Sequence, residues 1–221
     1  MVKIRKCDVE VGTPSAWNMA FDGALDGFEN MRRDQEALDA QRDPAAVPCV
    51  RIYRWARPTV SYGRLQSQPD PRPAGYDLVQ RPTGGGMVFH GTDISFSVAW
   101  RRDHPGLPPC IKNVYRLFHG SFADELRQVG LNAGLYVSPN PRPGAPGVCY
   151  SDYVADDVIV DGAKWIGGAL RVTSWGRLYQ GNLKVPPTVS TQTILDEAWV
   201  ARVFESRVFR HAPIEESVAG E

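Results

Sequence analysis

Apolar and polar positions alternate in several short runs and recur at helical spacing in others. Residues 94–100 place Ile94, Phe96, Val98 and Trp100 opposite Ser95, Ser97 and Ala99, the period-two pattern of a half-buried strand. In "CVRIYRWARPTVSYG", Val50, Ile52 and Arg54 alternate with Arg51, Tyr53 and Trp55; Pro58 then breaks the run before a second short strand, Thr59 to Tyr62. Ile111, Val114, Tyr115, Phe118, Phe122, Leu126 and Val129 form a helical stripe, closed by Gly130 as C-cap. The segment from Thr13 to Arg33 also reads as a helix, with Ser15 as N-cap and Trp17, Phe21, Leu25 and Phe28 as its apolar stripe. Residues 34–48 read as a polar connector. Asp161-Gly162 predicts a type I′ hairpin turn between two strand-like runs, "GRLYQGNLKV" a further strand, and "ILDEAWVARVF" a closing helix. "VSPNPRPGAPG" is a Pro/Gly loop, and residues 212–221 read as a frayed tail. Separate runs of strands and helices predict an α+β fold, a mostly antiparallel sheet flanked by helices.

Composition narrows the class. The 221 residues suit a single domain, 1–221, with its core over 13–204. A hydrophobic share of 43% is enough for a real core. Lys+Arg and Asp+Glu are 25 each, which argues against a general nucleic-acid binder. The polar start and the lack of a long apolar run predict a cytoplasmic protein without a membrane partner. Cys7, Cys49, Cys110 and Cys149 are widely spaced, without a CxxC pair, so neither a zinc site nor a thioredoxin-like motif is expected.

Three features stand out as candidate chemistry. Gly84, Gly85 and Gly86 precede a strand, where a backbone either bends tightly or comes close to another group. The stretch fits neither a P-loop nor a dinucleotide fingerprint. Cys149 follows the Pro/Gly loop and precedes the polar "YSDY", a setting in which a thiol is reachable, although most such thiols are idle. Lys164 lies just past the hairpin turn, ahead of the small residues Gly167, Gly168 and Ala169. His90, taken alone, reads as a structural histidine.

Together these segments resemble a known superfamily. "QRPTGGGMVFH" resembles the R-x-[ST]-G-G-x-x-x-x-H signature of the biotin/lipoate protein ligases and octanoyltransferases, and "VIVDGAKWIGGAL" resembles their second signature. "SAWNMAFDGAL" and "RIYRWARPTVSYGRLQ" are similar to the segments that precede them, so the likeness covers roughly residues 13–185. The arrangement is most similar to the cysteine-dependent octanoyltransferase branch, whose nucleophile lies in a loop before the lysine strand; here 164 − 149 = 15 positions separate the pair.

The resemblance implies Cys149 and Lys164 as catalytic groups and no cofactor or metal. It implies Arg81, Thr83, Gly84, Gly85, Gly86, His90, Gly167, Gly168 and Ala169 as substrate-binding positions. The implied donor is an acyl-carrier protein. The implied acceptor is a lysine of a lipoyl domain, in 2-oxoacid dehydrogenases or glycine cleavage H protein. Three positions depart from that branch: Gly86 is shared with the ligases, Gly91 replaces an acidic residue, and Gln180 stands where a histidine is frequent. Two alternatives therefore remain. One is an ATP- and Mg-dependent lipoate ligase that forms lipoyl-AMP; the other is a non-catalytic protein that binds acyl groups or lipoyl domains. A biotin ligase is disfavoured, because nothing resembles its GRGRxGR-type run.

Overall fold

The structure is a computed structural model that describes residues 17–138, 153–186 and 195–208. Its elements are β1 (Asn18–Leu25), α1 (Gly27–Ala40), β2 (Cys49–Trp55), β3 (Thr59–Tyr62), β4 (Asp77–Gln80), β5 (Val88–His90), β6 (Ile94–Arg101), α2 (Ile111–Gln128), β7 (Ala133–Leu135), β8 (Val158–Val160), β9 (Ala163–Val172), β10 (Gly176–Leu183) and α3 (Glu197–Val203). A π-helical turn, Phe204–Val208, continues α3.

Among the described residues one sheet runs β1-β2-β6-β10-β9-β8-β7 and a smaller one β4-β3-β5. In the large sheet only β1 and β2 pair in parallel, so the expected α+β class with a mostly antiparallel sheet is what forms. One face of that sheet packs under α2 and α3, where Ile52, Phe96, Val98, Phe118, Phe122, Tyr179 and Phe204 are all fully buried. The opposite face packs under α1 through Met31 and Leu38. This double cover corrects the half-buried reading of β6: Ser95, Ser97 and Ala99 are as buried as Phe96 because α1 lies over them.

The N-terminal helix is the main correction. Residues 18–25 are a strand, β1, hydrogen-bonded to β2, and the helix starts only at Gly27. Asp26 caps it, its Oδ1 accepting the Glu29 N–H at 2.8 Å. The helix then runs through to Ala40, across much of the segment read as a connector. The stripe misled because Phe21 and Phe28 are 57% and 66% exposed. The buried face of α1 carries Asn30 and Asp34 instead, so its period is hidden in a hydropathy reading. Ser15 lies outside the described residues.

Other local readings hold. Asp161 and Gly162 have φ of 48° and 80°, the paired positive values a type I′ turn requires, and join β8 to β9. Gly130 takes φ +84° just past α2. No described helix is long and apolar enough to cross a membrane. The expected tail, 212–221, lies outside the described residues.

Candidate functional site

The triple glycine lies in the turn from β4 to β5, and Arg81 braces it. The Arg81 guanidinium donates from Nη2 to the carbonyls of Gly84 and Gly86, at 2.8 and 2.7 Å. Its Nη1 donates to the Ser61 carbonyl and Oγ, at 2.8 and 2.9 Å. A planar fork with several fixed donors suits four acceptors from two segments; a single ammonium does not. Gly85 has φ +87°, in the left-handed region that favours glycine. The close approach inferred from the glycines is real and comes from the protein itself: a Cβ on Gly63 would lie 2.3 Å from the Gly85 carbonyl oxygen. Gly63 was missed in the sequence, where a lone glycine after a strand carries no such signal. A Cβ on Gly84 would meet nothing within 4 Å, so that glycine is open.

His90 extends the brace. Burial lowers its pKa, against the opposing pull of Asp93. The neutral ring donates from Nδ1 to Asp93 Oδ2 at 2.8 Å, and its Nε2 accepts from the Ser61 hydroxyl at 2.7 Å. With Arg81 donating to Ser61 Oγ, donation runs one way, Arg81 to Ser61 to His90 to Asp93. The order of groups is that of a serine–histidine–aspartate triad. Ser61, however, is fully buried and does not border the cavity described below, so the chain shapes the glycine loop rather than supplying a nucleophile. The His90 ring also stacks on Trp55, with centroids 3.8 Å apart.

Thr83 connects the loop to α1. Its Oγ1 donates to Gln180 Oε1 at 2.6 Å, and Gln180 Nε2 donates to Asp34 Oδ2 at 2.5 Å. Asp34, with no exposed surface, also accepts from Ser97, Tyr53 (2.9 Å) and Arg51. Gln180, the residue found where a histidine is frequent, is thus a cross-brace between the loop and the helix. Asp34 gave no sequence signal, because a polar residue within a polar helix reads as solvent-facing.

The second motif is placed by a β-bulge. Val158 pairs with Ile166 and Ile159 with Lys164, so Trp165 is the extra residue. The skipped position resets the alternation of β9 and brings Lys164 onto the same side as Gly167. A Cβ on Gly167 would lie 2.6 Å from Lys164 Cε. Lys164 Nζ is 2.8 Å from Asp157 Oδ2, with both side chains at most 2% exposed. Burial raises the Asp157 carboxyl above its ordinary pKa, and the Lys164 ammonium pulls it back. Such a pair is expensive to bury and weak as a stabiliser, which makes it a candidate functional group.

The three small residues of β9 divide. Ala169 faces the glycine loop, 3.5 Å from where a Gly85 Cβ would sit. Gly168 faces the other way, where its missing side chain is replaced by Tyr179: a Cβ there would be 2.2 Å from the Tyr179 hydroxyl oxygen. That hydroxyl lies 2.6 Å from His119 Nε2. Gly168 is therefore small for Tyr179, and only its backbone reaches the site. Met31, Tyr53, Trp55, Gly85, Gly167 and Ala169 are among the walls of a cavity of about 40 Å³, so the two sequence motifs meet there. Cys149 lies outside the described residues.

The lipoyl protein ligase A/B catalytic domain profile matches residues 26–208. The chain belongs to that family. Relatives of this lipoyl protein ligase A/B member include the octanoyltransferase LipM of Bacillus cereus, 30% identical over 169 residues. The match covers 69% of this chain and 59% of that protein. LipM of Kyrpidia tusciae is 28% identical over 165 residues, covering 69% and 60%. The chain thus spans about 60% of the length of the curated relatives it matches. Among solved structures, a lipoate-protein ligase A bound with ATP superposes with TM-score 0.62 and 21% identity, over 90% of this chain and 89% of that one. A bipartite lipoate protein ligase of Thermoplasma acidophilum, studied with its E2 lipoyl domain, gives 0.56 and 21%, over 94% and 78%. These structures share the fold.

Proposed function

We propose that the protein is an acyltransferase of protein lipoylation that moves an octanoyl group through a Cys149 thioester to a lysine of a lipoyl domain. The observation that carries this is the cavity lined by Gly85, Gly167 and Ala169, with the Lys164 ammonium beside Gly167. Small residues and apolar rings suit an aliphatic chain, and a buried cation suits a thiolate and an acyl carbonyl. The LipM relatives, named octanoyltransferases, support the same reading.

The Cys149 thiolate attacks the carbonyl carbon of the donor thioester. A new C–S bond forms, the donor C–S bond breaks, and the donor thiol leaves, taking a proton. The acceptor lysine amine then attacks the enzyme thioester; the amide bond forms, the amine loses a proton, and the Cys149 thiolate is released. Lys164 favours the thiolate, and backbone N–H groups of the glycine loop or of residues 166–169 stabilise the oxyanion. Cys149 stands 153 − 149 = 4 positions before Tyr153, whose hydroxyl accepts the Lys164 backbone N–H at 3.3 Å. A cavity of 40 Å³ holds roughly three waters, so an eight-carbon chain enters by displacing a wall. Met31, an unbranched thioether, is the adaptable member of that wall. An acyl-carrier protein is the donor in this reading, the acceptor is a lipoyl domain of a 2-oxoacid dehydrogenase or glycine cleavage H protein, and no cofactor takes part.

Gly86 and the structural likeness to a ligase bound with ATP support a second reading, an ATP- and Mg-dependent ligase in which Lys164 contacts the acyl-adenylate. One assay separates the two. With a lipoyl domain as acceptor, transfer from octanoyl-carrier protein without ATP, together with a mass adduct on Cys149, is expected. Full transfer by Cys149→Ala would refute the thioester, and transfer from free acid only with ATP would select the ligase.

A further inference from the structure

Beside the acyl cavity, and sharing Met31 and Arg81 with it, lies a wider surface groove of about 690 Å³. Arg32, Arg64, Arg72 and Arg171 border it, and Phe28, 66% exposed, contributes an apolar edge. Arg32 is neutralised by Glu29 and Glu36. Arg64, Arg72 and Arg171 form no ion pair among the described residues; Arg171 donates to the neutral Gln35 Oε1 at 2.8 Å. Burial, and then the positive charge of Arg64, pull the Arg171 guanidinium down from its ordinary value against a smaller opposing pull from the Asp39 carboxylate, so these two cations lie close enough to reinforce one field. A chain with zero formal net charge has therefore gathered unmatched arginines at the mouth of its acyl site.

We infer that this groove docks the acidic face of the thioester-bearing carrier protein, an inference that rests on the acyltransferase reading above. Three unmatched guanidiniums complement carboxylates, and the exposed Phe28 gives the contact an apolar anchor. The donor has to deliver a long acyl-bearing arm, and a groove that shares two walls with the cavity leads there.

The test compares two donors with the full chain. Octanoyl-carrier protein presents a protein surface for the groove to dock; the octanoyl thioester of N-acetylcysteamine presents none and carries no charge. The double variant Arg64→Glu/Arg171→Glu is expected to raise the KM for the carrier donor about tenfold or more at low salt, with kcat for the small donor unchanged. The wild-type KM for the carrier is expected to climb with ionic strength, and that dependence to flatten in the variant. Arg64→Glu/Arg72→Glu, at two exposed positions away from β9, repeats the test should the first variant fold poorly. An unchanged carrier KM, an equal loss with both donors, or a change confined to the KM of the acceptor lipoyl domain overturns the inference. A wild-type protein that uses neither donor without ATP overturns the acyltransferase reading and this inference with it; normal wild-type turnover with an insensitive variant overturns the docking alone.

Discussion

Replacing Arg81 by lysine keeps the charge and removes the fork. In the native structure two terminal nitrogens serve four acceptors at 2.7–2.9 Å: the Gly84 and Gly86 carbonyls on one side and both oxygens of Ser61 on the other. An ammonium at the end of a shorter and more flexible side chain reaches at most one of these pairs, so two charge-assisted hydrogen bonds are lost. At about 1.5 kcal/mol each, the lower end for bonds to charged groups, the cost is about 3 kcal/mol. A domain stable by about 5–15 kcal/mol remains folded. With a urea m-value of about 2 kcal/mol/M, the unfolding midpoint should fall by about 1.5 M. The freed glycine loop no longer fixes Gly85 against Ala169, so the proposed acyl transfer should lose at least about tenfold in kcat/KM. Urea unfolding and steady-state transfer on the same preparation test both halves. Lost activity at an unchanged midpoint would show that Arg81 acts on substrate rather than as a brace, and an unaltered enzyme would remove the brace altogether.

Three further expectations follow from other contacts. His119 is buried and pulled down to about 4 by burial; because the unfolded chain binds its proton near pH 6.5, the neutral ring's contribution is complete above that value. It is lost as pH falls from 6.5 toward 4, at about 1.4 kcal/mol per unit, and His119→Gln should flatten that part of a denaturation-versus-pH curve. Gly168→Ala places a methyl 2.2 Å from the Tyr179 hydroxyl oxygen and should cost about 3 kcal/mol by thermal unfolding, whereas Gly84→Ala, with open space, should stay within about 0.5 kcal/mol; equal effects would contradict the division of labour between the two motifs. Asp34→Asn leaves the buried Arg51 without a full counter-charge, and a loss of about 3 kcal/mol or more in denaturant unfolding is expected, with a null result indicating that Asp22 suffices.

Sequence and structure agree where short-range physics dominates. β6, α2, β10 and the 161–162 turn were legible because the period of an element and the sign of φ at a turn are local properties. The two signatures were legible as motifs for the same reason: tight turns need glycine wherever they occur. The stretch from Trp17 to Phe28 misread because its aromatic spacing matched a helix while the free edge of β2, distant in sequence, was available to pair with β1. α1 misread in the opposite sense, since its buried face is partly polar: Asp34 is satisfied by Arg51, Tyr53, Ser97 and Gln180 from three other strands, and Asn30 by the Leu25 and Arg54 carbonyls.

What each site residue faces was decided by tertiary structure alone. A one-residue bulge at Trp165 sets Lys164 beside Gly167, and pairing partners create a bulge, not composition. The near-identical glycines of "IGGAL" serve opposite faces of one strand, one toward Lys164 and the cavity and one toward Tyr179. Gly63 matters only because the Gly85 carbonyl arrives within 2.3 Å of where its Cβ would be. The sequence by itself determined the α+β composition, the glycine turn and the lysine strand. Only the folded chain decided that Arg81, Ser61, His90 and Asp93 act as one brace, because hydrogen bonds between distant segments exist only once packing has brought their donors and acceptors together.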